Sequence, residues 1–151
     1  MSLDVPLRSQ RRTRSRRFER WTITLALALT VLVAAASAWA GSYLDRTMLL
    51  LDQANAEADY LRSRLSDREL ARLVHSMAAA RVKAASEMTV PKEVAQAHPH
   101  LLLVLENYER ATDAAQDGEA QRFLIYQQRA HDEERILRGI MKQLGFPLPH
   151  E

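Results

Sequence analysis

An uncharged stretch near the N-terminus constrains this chain more than any other feature of its sequence. Residues 21–44 are 24 consecutive residues without a formal charge, and most of them are Leu, Ala, Val, Ile or Thr. A helix of about 20 apolar residues spans the hydrocarbon core of a bilayer and satisfies its own backbone polar groups there. Trp21 at one end, and Trp39 and Tyr43 at the other, lie where aromatic residues favour the membrane interfaces. The sequence therefore predicts a single transmembrane helix over residues 21–42.

The distribution of arginine predicts the orientation of this helix. The tail formed by residues 1–20 has a net formal charge of +5, whereas Arg46 is the only arginine in residues 43–57. Arginine beside a membrane segment is retained on the cytoplasmic side. We therefore expect a cytoplasmic tail and an extracytoplasmic domain at 43–151, in the inner membrane and periplasm of a bacterium. The membrane-orienting residues are Arg8, Arg11, Arg12, Arg14, Arg16, Arg17 and Arg20.

The same region also fits signals for export. Residues 38–41 (Ala-Trp-Ala-Gly) satisfy the small-residue rule of a cleavable signal peptide, and cleavage near Ala40 would release a soluble helical protein. The uncharged stretch exceeds the roughly 7–15 residues usual in such a signal, which favours a retained anchor. Residues 15–18 (Ser-Arg-Arg-Phe) resemble a twin-arginine signal, but the phenylalanine comes one place too early.

The composition of residues 43–151 favours a helical domain without thiol chemistry. The whole chain has no cysteine, four glycines and five prolines, and β-branched residues are sparse after residue 42. Disulfides, haem attachment through thioethers and cysteine-ligated zinc are therefore excluded. The chain also lacks a glycine-rich phosphate loop and a His-Glu-x-x-His motif, so we expect no enzyme and no cofactor. Its basic tail is explained by membrane orientation, and we expect no nucleic-acid partner.

Apolar residues recur every three or four positions in four segments, as they do on the buried face of a helix. The first stripe is Leu44, Met48, Leu51, Asn55, Ala58, Leu61 and Leu65. The second is Leu70, Leu73, Val74, Met77 and Ala84. The third is Leu101, Val104, Leu105, Tyr108, Ala111 and Ala115. The fourth is Phe123, Ala130, Leu137, Ile140, Met141 and Leu144.

Capping and turn signals separate these helices. Ser66 with Glu69 forms a capping-box pattern, which predicts Ser66 as the N-cap of the second helix. Pro91 interrupts the chain before the third helix, and Asp117-Gly118 connects the third helix to the fourth. The predicted fold is all-α: the membrane helix continues into an antiparallel bundle of about four helices, with a helical hairpin at 99–144. Its small size favours dimerisation along the first helix.

Three histidines are the most conspicuous candidate metal ligands. His98 and His100 flank Pro99, and His75 on the preceding helix is a candidate third ligand. Imidazole suits zinc, copper and nickel. Proline restricts the approach of the two imidazoles, and polar residues that cap a helix entrance and face water are the better explanation, since metal sites normally need three or four ligands. We therefore expect no tightly bound metal.

Glu106, Glu109, His131 and Glu134 form a second polar group on the third and fourth helices. Facing carboxylates and histidines in a bundle build di-iron sites, but such sites carry Glu-x-x-His twice, whereas this chain has one His-x-x-Glu. Glu134 and Gln127 fall near the apolar stripe of the fourth helix. The pattern favours a buried polar contact that sets helix register, with Arg110 or Tyr108 as the partner of Glu134.

Topology and composition together lead to one hypothesis and two alternatives. The first is a non-enzymatic single-pass membrane protein whose extracytoplasmic helical domain binds an unidentified membrane or periplasmic protein, or itself as a homodimer. The second is a periplasmic metal or small-ligand sensor that uses His75, His98 and His100. The third is the exported soluble protein already described.

Overall fold

The computed structural model describes residues 42–149, which contain four α-helices and no strand. The predicted all-α class and helical bundle are confirmed. These residues belong to a compact unit that runs from Trp39 to Glu151. The elements are α1 (described over 42–62), α2 (Arg68–Ser86), a short 3-10 helix (Lys92–Val94), α3 (His98–Gln116) and α4 (Ala120–Gln143).

The predicted transmembrane helix at 21–42 lies, except for Ser42, outside the described residues. The seven membrane-orienting arginines and the signal-like residues 15–18 and 38–41 lie outside them as well. Between residues 42 and 149, no helix combines the length and the apolar character needed to cross a membrane.

The N-terminus of α2 is capped one residue later than the sequence suggested. Asp67, not Ser66, is the N-cap, and its carboxylate accepts a hydrogen bond of 3.0 Å from the backbone N–H of Leu70. Glu69 pairs with Arg72 on the surface at 2.8 Å. An ionised aspartate accepts this bond more strongly than a serine hydroxyl and also favours the positive end of the helix dipole, which explains the shift.

Glycine ends both helices of the hairpin. Gly118 and Gly145 have φ angles of +77° and +85°, which side chains with a Cβ rarely adopt. At the first of them, the N–H of Glu119 bonds to Ala114 O and that of Gly118 to Ala115 O, the pair of bonds of a Schellman motif. The connection of three residues confirms the predicted tight link between α3 and α4.

The order of contacts along the helices defines an up-down-up-down bundle. Tyr43 of α1 lies beside His98 at the start of α3, and Asn55 lies beside Tyr108 further along both helices. Therefore α1 and α3 run parallel. The short links make α2 antiparallel to α1 and α4 antiparallel to α3.

The interior of the described residues contains two apolar clusters. One cluster is built mainly from the first part of α1, the first half of α3 and the second half of α4. The other is smaller and lies toward the α3–α4 connection. Its buried members are Leu61, Ala71, Val74, Ala111, Ala114, Ala115 and Phe123.

The apolar stripes predicted for α1, α3 and α4 face the interior. All six predicted residues of α3 are buried, and the predicted residues of α1 and α4 are buried or partly buried. Since Leu51, Ala58 and Leu61 of α1 pack inside the chain's own bundle, they leave no reason to expect a dimer along this stripe. Tyr43 is also buried, 2 % exposed, and its hydroxyl lies 3.1 Å from His98 Nδ1.

The stripe predicted for α2 is wrong in its register. Leu73, Met77 and Ala84 are exposed, whereas Val74 is buried and Leu70 is partly buried. The buried face of α2 instead consists mostly of small side chains. Its members are Ala71, Val74, Ala78, Arg81 and Ala85.

Candidate interaction surface

Helix α2 carries larger apolar side chains on its outside than on its inside. Leu73 is 58 % exposed and Met77 is 42 % exposed, while the alanines at 71, 78 and 85 are buried. An ordinary surface helix buries its large apolar residues and presents polar ones to water. We call the exposed series Leu73, Met77, Ala80 and Ala84 the outer stripe of α2.

The inner face of α2 carries small side chains, and the side chains of α3 that lie opposite to it are small as well. Ala111, Thr112, Ala114 and Ala115 of α3 are all buried. Small side chains on both helices allow the two backbones to approach closely. A leucine or methionine turned inward would overpack this contact.

A buried ion pair fixes the rotation of α2 about its own axis. The guanidinium of Arg81 donates a hydrogen bond of 2.6 Å from Nη2 to Oε1 of Glu57 on α1. Their side chains are only 6 % and 20 % exposed. Removing one member of a buried pair costs about 3–5 kcal/mol, because the other charge is left uncompensated. Arg81 must therefore face inward, and Leu73 and Met77 then face outward.

The interior polar network joins α1, α3 and α4 within the larger apolar cluster, to which Tyr108 belongs. Tyr108 donates from its hydroxyl to Oδ1 of Asn55, and Asn55 Nδ2 donates to Glu134 Oε2 at 3.2 Å. Arg138 donates to the other oxygen of Glu134 from Nε at 2.9 Å and from Nη2 at 2.7 Å. The predicted buried contact of Glu134 exists, but it is made with Asn55 and Arg138.

Two polar contacts border this network. Gln127 Nε2 donates to Asp59 Oδ1 at 3.1 Å. This bond links α4 to α1 one helical turn after Asn55. His131 Nδ1 lies 3.4 Å from the hydroxyl of Tyr108. Burial raises the pKa of Tyr108, and the nearby charges of Glu134 and Asp59 raise it further. The phenol therefore stays protonated and remains a donor.

Glu106, Glu109, His131 and Glu134, weighed as a di-iron site and set aside in favour of a polar contact, do not form one cluster within the described residues. Glu106 pairs with Arg110 on the surface at 3.4 Å, so Arg110 is not the partner of Glu134. Within the described part of the chain, no three His, Asp or Glu side chains are grouped closely enough to hold a metal ion.

The three candidate histidines contact three different partners. His75 Nδ1 lies 3.2 Å from Thr112 Oγ1, whereas His98 contacts Tyr43 and His100 Nδ1 contacts a carboxylate oxygen of Glu133. Thr112 follows His98 by 14 residues on α3, which separates them by roughly 20 Å at the rise of an α-helix. The structure therefore does not bring His75 to the other two, and the proposed three-histidine site does not form.

A groove lies between the end of α1 and the first half of α4. It has a volume of about 240 Å³. Its lining is mostly polar, and the groove opens to solvent. The lining residues are Arg62, Leu124, Gln127, Gln128 and His131.

Sequence reasoning missed Arg81 and the outer stripe of α2, although one signal was present. Positions 71, 74, 78, 81 and 85 follow a complete 3–4 spacing, and only the charge at 81 interrupts its apolar character. The competing series that starts at Leu70 has larger side chains and therefore dominated the prediction. Arg81 has the spacing of the buried alanines, and this position was the signal that its charge is buried and paired.

Comparisons with known proteins give no relative. The chain matches no protein-family model, and neither the curated proteins nor the solved structures include one that is significantly similar to it.

Proposed function

We propose that this chain is a non-enzymatic, single-pass membrane protein whose extracytoplasmic helical domain binds protein through the outer stripe of α2. The observation that carries the proposal is the inversion of α2, with Leu73 and Met77 outside and alanine inside. A helix that exposes leucine and methionine at a spacing of four residues presents half of a helix–helix interface. Contiguous exposed apolar patches often mark interaction sites, and Leu73 and Met77 lie one turn apart on the same face.

The charged residues beside the stripe agree with an interface of this kind. Glu69, Arg72, Lys83 and Glu87 are exposed near the two ends of the outer stripe. A polar rim around an apolar centre is the usual arrangement of a protein–protein interface.

Photocrosslinking in cells tests the proposed binding surface. A photoreactive amino acid is placed at Met77 in one full-length variant and at Ile136 in another, since Ile136 is an exposed apolar residue of α4. We expect discrete covalent protein adducts at residue 77 and only weak background at residue 136. Equal adduct yields at the two positions would contradict the proposal.

A reporter fusion tests the membrane topology that the proposal includes. A reporter that is active only in the periplasm is fused after Glu151, and the cells are then fractionated. We expect an active reporter in the membrane fraction. An inactive reporter would contradict the orientation, and an active reporter in the soluble periplasmic fraction would establish the exported alternative.

Sensing of a small ligand is the second candidate function, and the groove between α1 and α4 favours it. Arg62 and His131 offer nitrogen donors to an anionic ligand, and Leu124 offers an apolar contact. Three-histidine metal sensing loses its support, because His75 lies away from His98 and His100. Binding of small carboxylates that disappears in Arg62→Ala would favour this second function.

A further inference from the structure

We propose that the groove between the end of α1 and the first half of α4 binds a small carboxylate that also carries a hydrogen-bond donor. The carboxylate pairs with Arg62, and the donor group bonds to Nε2 of His131. This inference rests on the second candidate function and names the class of its ligand. The volume of about 240 Å³ lies below the roughly 300–1,000 Å³ of pockets for drug-sized molecules, so the ligand is smaller than these.

The hydrogen bonds of the interior polar network can run in only one direction. The carboxylate of Glu134 is paired with Arg138 and accepts hydrogen bonds, so the atom of Asn55 that meets it is the amide nitrogen. The carbonyl oxygen of Asn55 therefore faces Tyr108, and the single hydroxyl proton of Tyr108 goes to that oxygen. The phenol has no second proton to donate to any other neighbour.

This direction determines the tautomer of His131. Its Nδ1 lies 3.4 Å from the hydroxyl oxygen of Tyr108, and because that oxygen can only accept here, Nδ1 carries the ring proton. A neutral imidazole has one N–H, so Nε2 is an acceptor. Nε2 has no hydrogen-bond partner in the described part of the chain, and His131 lines the groove. Neutral His131 therefore offers the groove an acceptor, and only the protonated imidazolium offers a donor there.

The remaining polar side chains of the groove add one cation and further acceptors. Arg62 forms no ion pair or hydrogen bond with any residue that the structure describes. Gln127 directs its amide nitrogen to Asp59 at 3.1 Å. Gln128 directs its amide nitrogen to Asp132 at 2.9 Å, so the carbonyl oxygens of both glutamines remain free. A complementary ligand presents a carboxylate to the guanidinium, with which it forms paired hydrogen bonds, and an O–H or N–H to the acceptors.

The carboxylates around the groove leave the free guanidinium available to an anion. Asp132 pairs with Arg135, and Glu134 pairs with Arg138 at 2.7 Å. Asp59 accepts a hydrogen bond from an amide of α4 and forms no ion pair among the described residues. Its negative charge therefore adds to the preference for a donor group on the ligand.

Three acids of similar size test this ligand class. Propionate, L-lactate and L-alanine differ in carrying a hydrogen, a hydroxyl or an ammonium group on the carbon beside the carboxylate. Each is titrated into the full-length chain in detergent at about pH 8, where histidine side chains are ordinarily neutral. NMR signals of the ligand methyl groups report binding. We expect lactate, alanine or both to bind roughly 2–10-fold more tightly than propionate, as one added hydrogen bond allows. The tighter of the two identifies the donor as hydroxyl or ammonium.

Two variants and a matched control separate the roles of the side chains. His131→Phe keeps an aromatic ring without an acceptor, and it should lower the affinity for lactate and alanine to that for propionate. Arg62→Ala should weaken the binding of all three acids. Arg64→Ala is the control, because Arg64 is also an exposed arginine of this region but lies 4.0 Å over the ring of Tyr60. It should leave binding unchanged.

Each contrary result overturns a defined part of the account. Equal affinities for the three acids would reject the donor and leave a carboxylate-binding groove, so the second candidate function would stand. A preference for lactate or alanine that survives His131→Phe would show that His131 is not the acceptor. Absence of binding by all three acids, or unchanged binding by Arg62→Ala, would overturn both this proposal and the second candidate function. If His131→Phe does not fold, the comparison of the acids and Arg62→Ala still decide.

Discussion

The hydroxyl of Tyr108 on α3 donates a hydrogen bond to the side-chain carbonyl oxygen of Asn55 on α1. Asn55 in turn donates to Glu134 on α4, so one asparagine connects three helices. A one-residue slip of any of these helices would break the connection and leave buried polar groups without partners. The network therefore specifies the register of the bundle, and α2 is held separately by its ion pair from Arg81 to Glu57.

Removal of the Tyr108 hydroxyl should destabilise the bundle. Tyr108→Phe leaves Oδ1 of Asn55 without its donor, and an unsatisfied buried group costs about 1–3 kcal/mol. Denaturant unfolding of the unit from Trp39 to Glu151 measures the loss in the free energy of unfolding. Tyr60→Phe, at an exposed tyrosine of α1, is the matched control and should have little effect. Equal effects of the two substitutions would contradict the network.

High pH should destabilise the folded domain through Tyr108. Burial raises the pKa of this phenol, with smaller contributions from Glu134 and Asp59. In the unfolded chain the phenol ionises near its ordinary pKa of 10.0, while in the folded domain it keeps its proton. Stability is therefore complete below pH 10 and is lost as the pH rises above it. Unfolding measured from pH 8 to 11 should show this loss, and Tyr108→Phe should reduce its slope. An unchanged slope in the variant would refute the assignment.

Low pH should destabilise the domain through His98. Burial lowers the pKa of this imidazole below its ordinary value of 6.5. The unfolded chain then binds a proton more readily than the folded one, so stability is complete above pH 6.5 and is lost as the pH falls. Replacement by glutamine, which does not titrate, should flatten the melting temperature between pH 7 and 5. Because burial is the cause, Tyr43→Phe should keep the pH dependence; its disappearance there would mean that the hydrogen bond was responsible.

A larger side chain on α2 should destabilise the domain when it is placed on the inner face and have little effect on the outer face. Ala78→Leu adds volume to the tight contact of α2 inside the bundle, and overpacking costs about 1–3 kcal/mol. Ala80→Leu adds the same volume on the exposed face and should change stability by less than about 0.5 kcal/mol. Chemical denaturation of both variants under one set of conditions gives the comparison. A larger loss from Ala80→Leu would mean that the face of α2 that carries Leu73 and Met77 packs inside the bundle.

The helices and most of their buried faces follow from spacing alone. Leu101, Val104, Leu105 and Tyr108 form one uninterrupted apolar series, and no competing series exists on α3, so the periodicity determines its inner face. The turn at Gly118 was predictable for a similar reason, because only glycine adopts its backbone conformation without strain.

Spacing alone could not predict which face of α2 is buried, because that depends on neighbours that are distant in sequence. Leu73 and Met77 are the larger apolar residues, and hydrophobicity alone places them inside. The alanine-rich face of α3 and the carboxylate of Glu57 decide otherwise, and neither is visible in the sequence of α2. The partners of Asn55 were hidden for the same reason, since Tyr108 and Glu134 lie on other helices more than 50 residues away.

The accessibility of residue 77 in intact cells tests the central claim most directly. The cysteine-free chain permits single Met77→Cys and Gln121→Cys variants, both at exposed positions of the isolated domain. A maleimide that cannot cross the inner membrane reaches the periplasm through outer-membrane pores. We predict that it labels residue 121 rapidly and residue 77 at least several-fold more slowly, and that the difference disappears after dilution in detergent. Equal and rapid labelling of both residues in intact cells would contradict an occupied outer stripe.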